Sequence, residues 1–161
     1  MVSLAVSTGG CGGSSGGGPF VPARQTIFVP NTGDPNSITE YLTTDNGDAT
    51  PLATITGANT MFAFPRAVAI EPGGDILACN ADGVIARFAP DADGNATPIS
   101  TISGANTMLS NCAGIVVNKA GEIIAIGINP SLGIFKFAAG ASGNVAPIAT
   151  ISGSNNPTVS M

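Results

Sequence analysis

The sequence contains no histidine and no tryptophan, and charged residues make up only 9% of its 161 residues. Without histidine the chain lacks the commonest general base and the commonest metal ligand, which excludes catalysis by a nucleophile–histidine pair. Only five residues are Lys or Arg, against ten Asp or Glu. Because phosphate binding needs a basic face, the net charge of −5 argues against a nucleic-acid partner. No apolar run reaches the roughly 18 residues of a transmembrane helix.

The few basic residues fall in different parts of the chain and predict solvated surface positions: Arg24, Arg66, Arg87, Lys119 and Lys136. The Gly-rich stretch near the N-terminus lacks the Lys, strand and helix that make a phosphate-binding loop. The sequence therefore predicts no catalytic residue, no cofactor-binding residue and no cofactor.

Glycine and proline are abundant, with 22 and 12 copies, which suits short strands and tight turns. One segment occurs twice, 47 positions apart: "ATPLATITGANTM" at 49–61 and "ATPISTISGANTM" at 96–108. A period of this length is typical of repeat architectures. The repeat implies one structural solution used more than once, and it carries no chemistry of its own.

The second repeat contains four short apolar runs bounded by Gly, Pro, Asp or Asn, which predicts four strands at 67–70, 76–79, 84–88 and 98–102. The third repeat follows the same plan, with Phe137 at the position of Phe88 and Pro147 at that of Pro98. The first repeat has counterparts of the second, third and fourth strands only, for example Tyr41 at the position of Phe88. We therefore expect the first repeat to lack its first strand.

Four antiparallel strands per repeat of about 40 to 50 residues is the organisation of a β-propeller blade. The predicted fold is all-β, a propeller segment of about three four-stranded antiparallel blades with the first incomplete. The predicted domains are a signal remnant and Gly/Ser tether at 1–24 and propeller repeats at 25–161, divided into 25–61, 62–108 and 109–161. The pattern "GIVVNKAGEIIAIG…GIFKFAAGASGNVAPIATISGSNN" resembles NHL-type six-bladed propellers of secreted bacterial proteins, over about residues 25–156. That resemblance implies a fold, and it assigns no function.

The N-terminal segment changes character at Cys11, where a short apolar stretch gives way to a Gly/Ser run. Small residues before a cysteine, followed by such a tether, resemble the lipobox of bacterial lipoproteins. The resemblance implies that Cys11 is lipidated and that the protein is anchored in the bacterial cell envelope, or secreted. The alternative is a Gly-rich leader with an incidental thiol.

The other two cysteines are predicted at strand ends on one face of the ring, where Cys79 and Cys112 could form a disulfide in an oxidising compartment. The alternative is a pair of small buried thiols. On the same face, Asn80, Asp82 and Asn129 are weak candidates for holding a divalent cation such as calcium. Some propellers, such as the gluconolactonase-like family, hold a divalent cation at the ring centre. The three candidate ligands rest on the similarity to that family.

Two functions stay open on the sequence alone. We expect a non-enzymatic, envelope-anchored or secreted propeller that binds a protein or glycan through its loops, with membrane contact only through the lipid anchor. The alternative is a lactonase-like metal-dependent hydrolase or a lyase whose site lies mainly in further blades. Three blades leave two apolar sheet faces uncovered, so we expect a fragment of a longer propeller or a homodimer that closes the ring.

Overall fold

The first sheet of the protein has four antiparallel strands, one more than the sequence predicts. The computed structural model describes residues 5–8, 25–128 and 132–152. The strands pair in chain order: β1 (Ala5–Thr8), β2 (Gln25–Asn31), β3 (Ser37–Leu42) and β4 (Ala53–Thr56). The expectation that the first blade lacks its first strand is therefore wrong. Strand β1 has four residues and a Gly-rich run separates it from β2, so the repeat periodicity does not reveal it.

The second and third sheets each have four antiparallel strands in the predicted order. The second sheet consists of β5 (Pro65–Ile70), β6 (Ile76–Asn80), β7 (Ile85–Phe88) and β8 (Ser100–Ile102). The third consists of β9 (Cys112–Val117), β10 (Ile123–Gly127), β11 (Gly133–Phe137) and β12 (Ala149–Ile151). The all-β class and the three antiparallel sheets are confirmed, and the four strands predicted for the second repeat agree with the structure to within two residues at each end.

The sheets pack against one another through two separate apolar cores. One core lies between the first and second sheets and includes Phe28, Ile38 and Phe88. The other lies between the second and third sheets and includes Leu77, Ile115 and Phe137. All residues of β6 and β7 are buried, because the middle sheet is covered on both faces. Short, almost wholly apolar strands are what a sheet buried on both faces requires.

Each repeated segment consists of the outer strand of one sheet and the connection to the next sheet. The first copy contains β4 and the 3-10 turn η1 (Ala58–Thr60). The second contains β8 and η2 (Ala105–Thr107). We call the connection from 57 to 64, and its counterpart from 104 to 111, the first and second crossings. Within the described ranges, no helix has the length and apolar character needed to span a lipid bilayer.

Candidate functional site: the crossing face

Both crossings are shaped by a buried threonine. The Thr60 hydroxyl donates to the Gly57 carbonyl oxygen at 2.8 Å and accepts the Phe62 N–H at 3.3 Å. In the second crossing, Thr107 makes the same pair of hydrogen bonds, to the Gly104 carbonyl and from the Leu109 N–H. Both threonines are almost completely buried. Because each hydroxyl satisfies two backbone groups, the crossing is held in a fixed shape.

This shape directs large apolar side chains into solvent. Met61 and Met108 follow the threonines and are 54% and 61% exposed, with φ of 59° in both. Phe64 is 60% exposed and has φ of 53°. A left-handed backbone is uncommon outside Gly, Asn and Asp, and such strained residues concentrate at ligand-binding sites. We call the surface formed by the two crossings and the β6–β7 turn the crossing face.

A shallow depression of about 450 Å³ lies on the crossing face between the β6–β7 turn and the second crossing. Asp82 and Val84 line one side, and Met108 and Leu109 line the other. The turn lies tight against the crossing, since a Cβ on Gly83 would overlap the Leu109 carbonyl oxygen. The turn and the second crossing are therefore in direct contact at the edge of the depression.

The candidate cation ligands are engaged with backbone groups. Asn80 is fully buried, and its Oδ1 accepts the Ala63 N–H at 3.3 Å. Asp82 is exposed, and its Oδ1 accepts the Val84 N–H at 3.1 Å, which closes the β6–β7 turn. Asn129 lies outside the described residues. Across the described ranges, no group of three or more His, Cys, Asp or Glu residues could hold a metal ion.

Cys79 and Cys112 form a disulfide in the structure, with Cα atoms 5.6 Å apart. Cys79 belongs to the second sheet and Cys112 to the third, so the bond links neighbouring sheets covalently. Both residues are fully buried within the core that joins these sheets. Cys11, the predicted lipidation site, lies outside the described residues.

A turn of the second sheet fastens the outer strand of the first, a contact that the sequence analysis missed. The Gly94 carbonyl accepts the Thr56 N–H at 2.8 Å, and the Gly94 N–H donates to the Thr54 carbonyl at 2.9 Å. Asn95 Oδ1 accepts the Asn59 N–H at 2.8 Å. Asp93 Oδ1 accepts the Thr54 N–H at 2.8 Å. Donation from the backbone N–H groups of Thr54 and then Gly94 lowers the pKa of Asp93 below its ordinary value of 3.8.

The third sheet fastens the second sheet in the same way. The Gly143 N–H donates to the Thr101 carbonyl at 2.6 Å, and the Gly143 carbonyl accepts the Ser103 N–H at 3.1 Å. Asn144 Oδ1 accepts the Asn106 N–H, and the Asn106 side chain donates to the Asn144 carbonyl. The side chain of Asn106 therefore bonds a backbone group in a turn of the next sheet, 38 positions along the chain. We call residues 93–95 and 142–144 the inter-blade turns.

One basic residue departs from the predicted solvated surface. Arg87 is only 8% exposed, and its guanidinium donates twice to the Glu71 carboxylate, at 2.7 and 3.2 Å, and once to Ser100 Oγ at 2.9 Å. In the third sheet Lys136 at the corresponding position pairs with Glu122 at 2.9 Å. The Lys136 ammonium, followed by the Asn118 amide, lowers the pKa of Glu122. The sequence carries no signal for the Arg87 pair, since its partner lies 16 residues away in a loop.

A solved structure supports the fold. The chain is similar to the crystal structure of the WD40 β-propeller domain of Doa1, with a TM-score of 0.52 and 14% sequence identity. The match covers 73% of this chain and 35% of the other, so the chain spans about a third of that structure's length. No family model matches the sequence, and no curated protein matches it. The protein has a β-propeller fold, built here from three described blades.

Proposed function

We propose that this protein is a non-enzymatic β-propeller scaffold that binds a protein segment through the crossing face. β-Propellers commonly serve as interaction scaffolds, because a rigid ring positions variable loops. The observation that supports the proposal is the exposure of Met61, Phe64 and Met108 on a left-handed backbone at one face. Methionine is unbranched and polarizable, so it adapts to apolar partner surfaces of different shape.

The chemistry of the crossing face favours a protein ligand over a glycan. Its exposed large side chains are apolar, and their burial by an apolar partner segment is worth about 1.5–3 kcal/mol for each side chain. The depression beside Met108 would accept one apolar side chain of the partner, and the exposed Asp82 would favour a basic residue next to it.

The experiment is selection from a phage-displayed random peptide library on the immobilised full chain. Selected peptides are expected to be rich in apolar residues and to lose at least about tenfold in affinity for a Met61→Ser/Phe64→Ser/Met108→Ser variant. Leu52→Ser is the control, because Leu52 is also exposed and lies directly before β4, outside both crossings. Peptides that bind the triple variant as tightly as the unchanged chain would contradict the proposal, as would binding of glycans but no peptide.

We propose further that the scaffold acts at the bacterial cell envelope, on the ground of the lipobox-like sequence that ends at Cys11. Processing before Cys11 would remove residues 5–8, which form β1. A lipidated Cys11 and a retained β1 are therefore alternatives for the mature chain. Mass spectrometry of the N-terminal peptide from the membrane fraction distinguishes them: a diacylated Cys11 supports anchoring, and an unmodified peptide that begins upstream of Cys11 rules it out.

A further inference from the structure

The first sheet presents an uncovered copy of a surface that is buried in the other two. In the second sheet the cross-strand pair Ile76 and Phe88 faces the first sheet, and both residues are at most 1% exposed. In the third sheet Ile123 and Phe137 form the same pair, and both are fully buried. In the first sheet the corresponding cross-strand pair is Ile27 with Tyr41, which lines an open groove of about 360 Å³.

The third sheet presents the opposite face, also uncovered. Ile55 and Ile102, in the outer strands of the first and second sheets, are each 2% exposed, whereas Ile151 at the same position of the third is 63% exposed. Val116 and Ile126 are 58% and 38% exposed. Their counterparts in the second sheet, by strand pairing, are the buried Ala69 and Cys79.

The hydrogen-bonding groups of an inter-blade turn are present at the uncovered first sheet. Residues 46–48, Asn-Gly-Asp, align with 93–95 and 142–144. Gly47 has φ of 65°, against 58° for Gly94 and 74° for Gly143, so the three turns share one left-handed glycine. An oxygen of Asp48 can accept an N–H as Asn95 Oδ1 does.

The outer strand of the third sheet has the sequence that the inter-blade turns hold. Residues 150–152 are Thr-Ile-Ser, identical to residues 101–103, which the turn at 142–144 binds. One chain therefore carries both halves of an interface that it already forms twice internally.

We propose that a second copy of this chain docks head to tail, with the uncovered face of its first sheet on the uncovered face of the third sheet. Residues 46–48 of one copy would hold β12 of the other, and Ile151 would pack against the Ile27–Tyr41 pair. Two such contacts between two copies close a ring of six blades, and closure satisfies both uncovered faces. This inference does not depend on the crossing face, which lies at the strand ends and outside the contact.

The test is sedimentation velocity of the full chain at micromolar concentration, where a dimer of twice the 15.8 kDa chain mass is expected. Ile151→Asp should raise the dimer dissociation constant by about 100-fold or more, because it places a carboxylate in an apolar contact. Ile99→Asp is the matched control. Ile99 lies directly before β8 and is 58% exposed even though the second sheet is flanked on both sides, so a carboxylate there should leave the packing between sheets intact.

A mixing experiment tests the head-to-tail geometry. Tyr41→Asp alters only the first face and Ile151→Asp only the second, so each variant alone should be monomeric. Their equimolar mixture retains one intact interface and should form a mixed dimer. A monomeric unchanged chain, an association that Ile151→Asp leaves intact, or a mixture that stays monomeric would each overturn the proposal. Circular dichroism that matches the unchanged chain would verify that both variants are folded.

Discussion

Removal of the Cys79–Cys112 disulfide should destabilise the protein by about 4 kcal/mol. The bond closes a loop with a sequence separation of 33 residues. In the chain-entropy model, opening a loop of that size returns about 12.5 cal/mol/K to the unfolded chain, or about 3.7 kcal/mol at 25 °C. The double variant Cys79→Ala/Cys112→Ala loses this constraint together with two buried sulfur atoms, so its loss should equal or slightly exceed that value.

The assay is urea unfolding followed by circular dichroism. With a slope near 2 kcal/mol/M, about 4 kcal/mol corresponds to a fall of about 2 M in the midpoint. The unchanged chain in excess reductant is the control, since it loses the bond and keeps both sulfur atoms. The reasoning fails if the double variant unfolds within about 1 kcal/mol of the oxidised chain, or if the reductant leaves the midpoint of the unchanged chain where it was.

Three further changes address contacts that the sequence did not reveal. Gly57→Ala should lower the free energy of unfolding by about 2–3 kcal/mol, measured by thermal or urea unfolding. Its φ is 122°, and the new Cβ would lie 2.5 Å from Asn95 Oδ1 in the inter-blade turn. Gly73→Ala is the control and should be nearly neutral, because nothing lies within 4 Å of the added Cβ. Asp93→Asn should weaken the loss of stability at acid pH. The lowered pKa of Asp93 contributes stability that is present above about pH 3.8 and is lost as the pH falls through the pKa of the folded state. An acid dependence that the substitution leaves unchanged would refute the hydrogen bond assigned to Asp93. Arg87→Met should cost about 3 kcal/mol, because it leaves the Glu71 carboxylate, whose side chain is only 12% exposed, without its partner. Adding Glu71→Leu should recover part of that loss, and an equal or larger loss in the double variant would argue against the pair.

Much of the fold could be predicted because the strands repeat. Turn residues bound each apolar run, and the run from Ile76 to Cys79 is too short for a helix, so the period and the strand count follow from the sequence alone. Strand β1 could not be found this way. It is short, it follows no repeat, and its pairing with β2 spans a long Gly-rich segment of the sequence.

The candidate site was less accessible to sequence reasoning. The repeated segment that ends in "GANTM" indicated one structural solution used twice. The exposure of Met61, however, depends on the buried hydroxyl of Thr60, and burial is a tertiary property that the repeat does not show. Similarly, Asn95 is an ordinary turn residue by type, while its partner Asn59 lies 36 positions earlier, in the first crossing. Contacts between sheets depend on how neighbouring repeats stack, and the sequence of one repeat alone does not show this.

The central claim is that successive repeats are sheets packed face to face, each held by the turn of the next. NMR couplings across hydrogen bonds test it directly, since they connect an amide nitrogen with the carbonyl carbon of its acceptor. We predict couplings from the Thr56 amide to the Gly94 carbonyl and from the Gly143 amide to the Thr101 carbonyl, whose N–O distances are 2.8 and 2.6 Å. Couplings from these two amides to carbonyls within their own repeats would contradict the account.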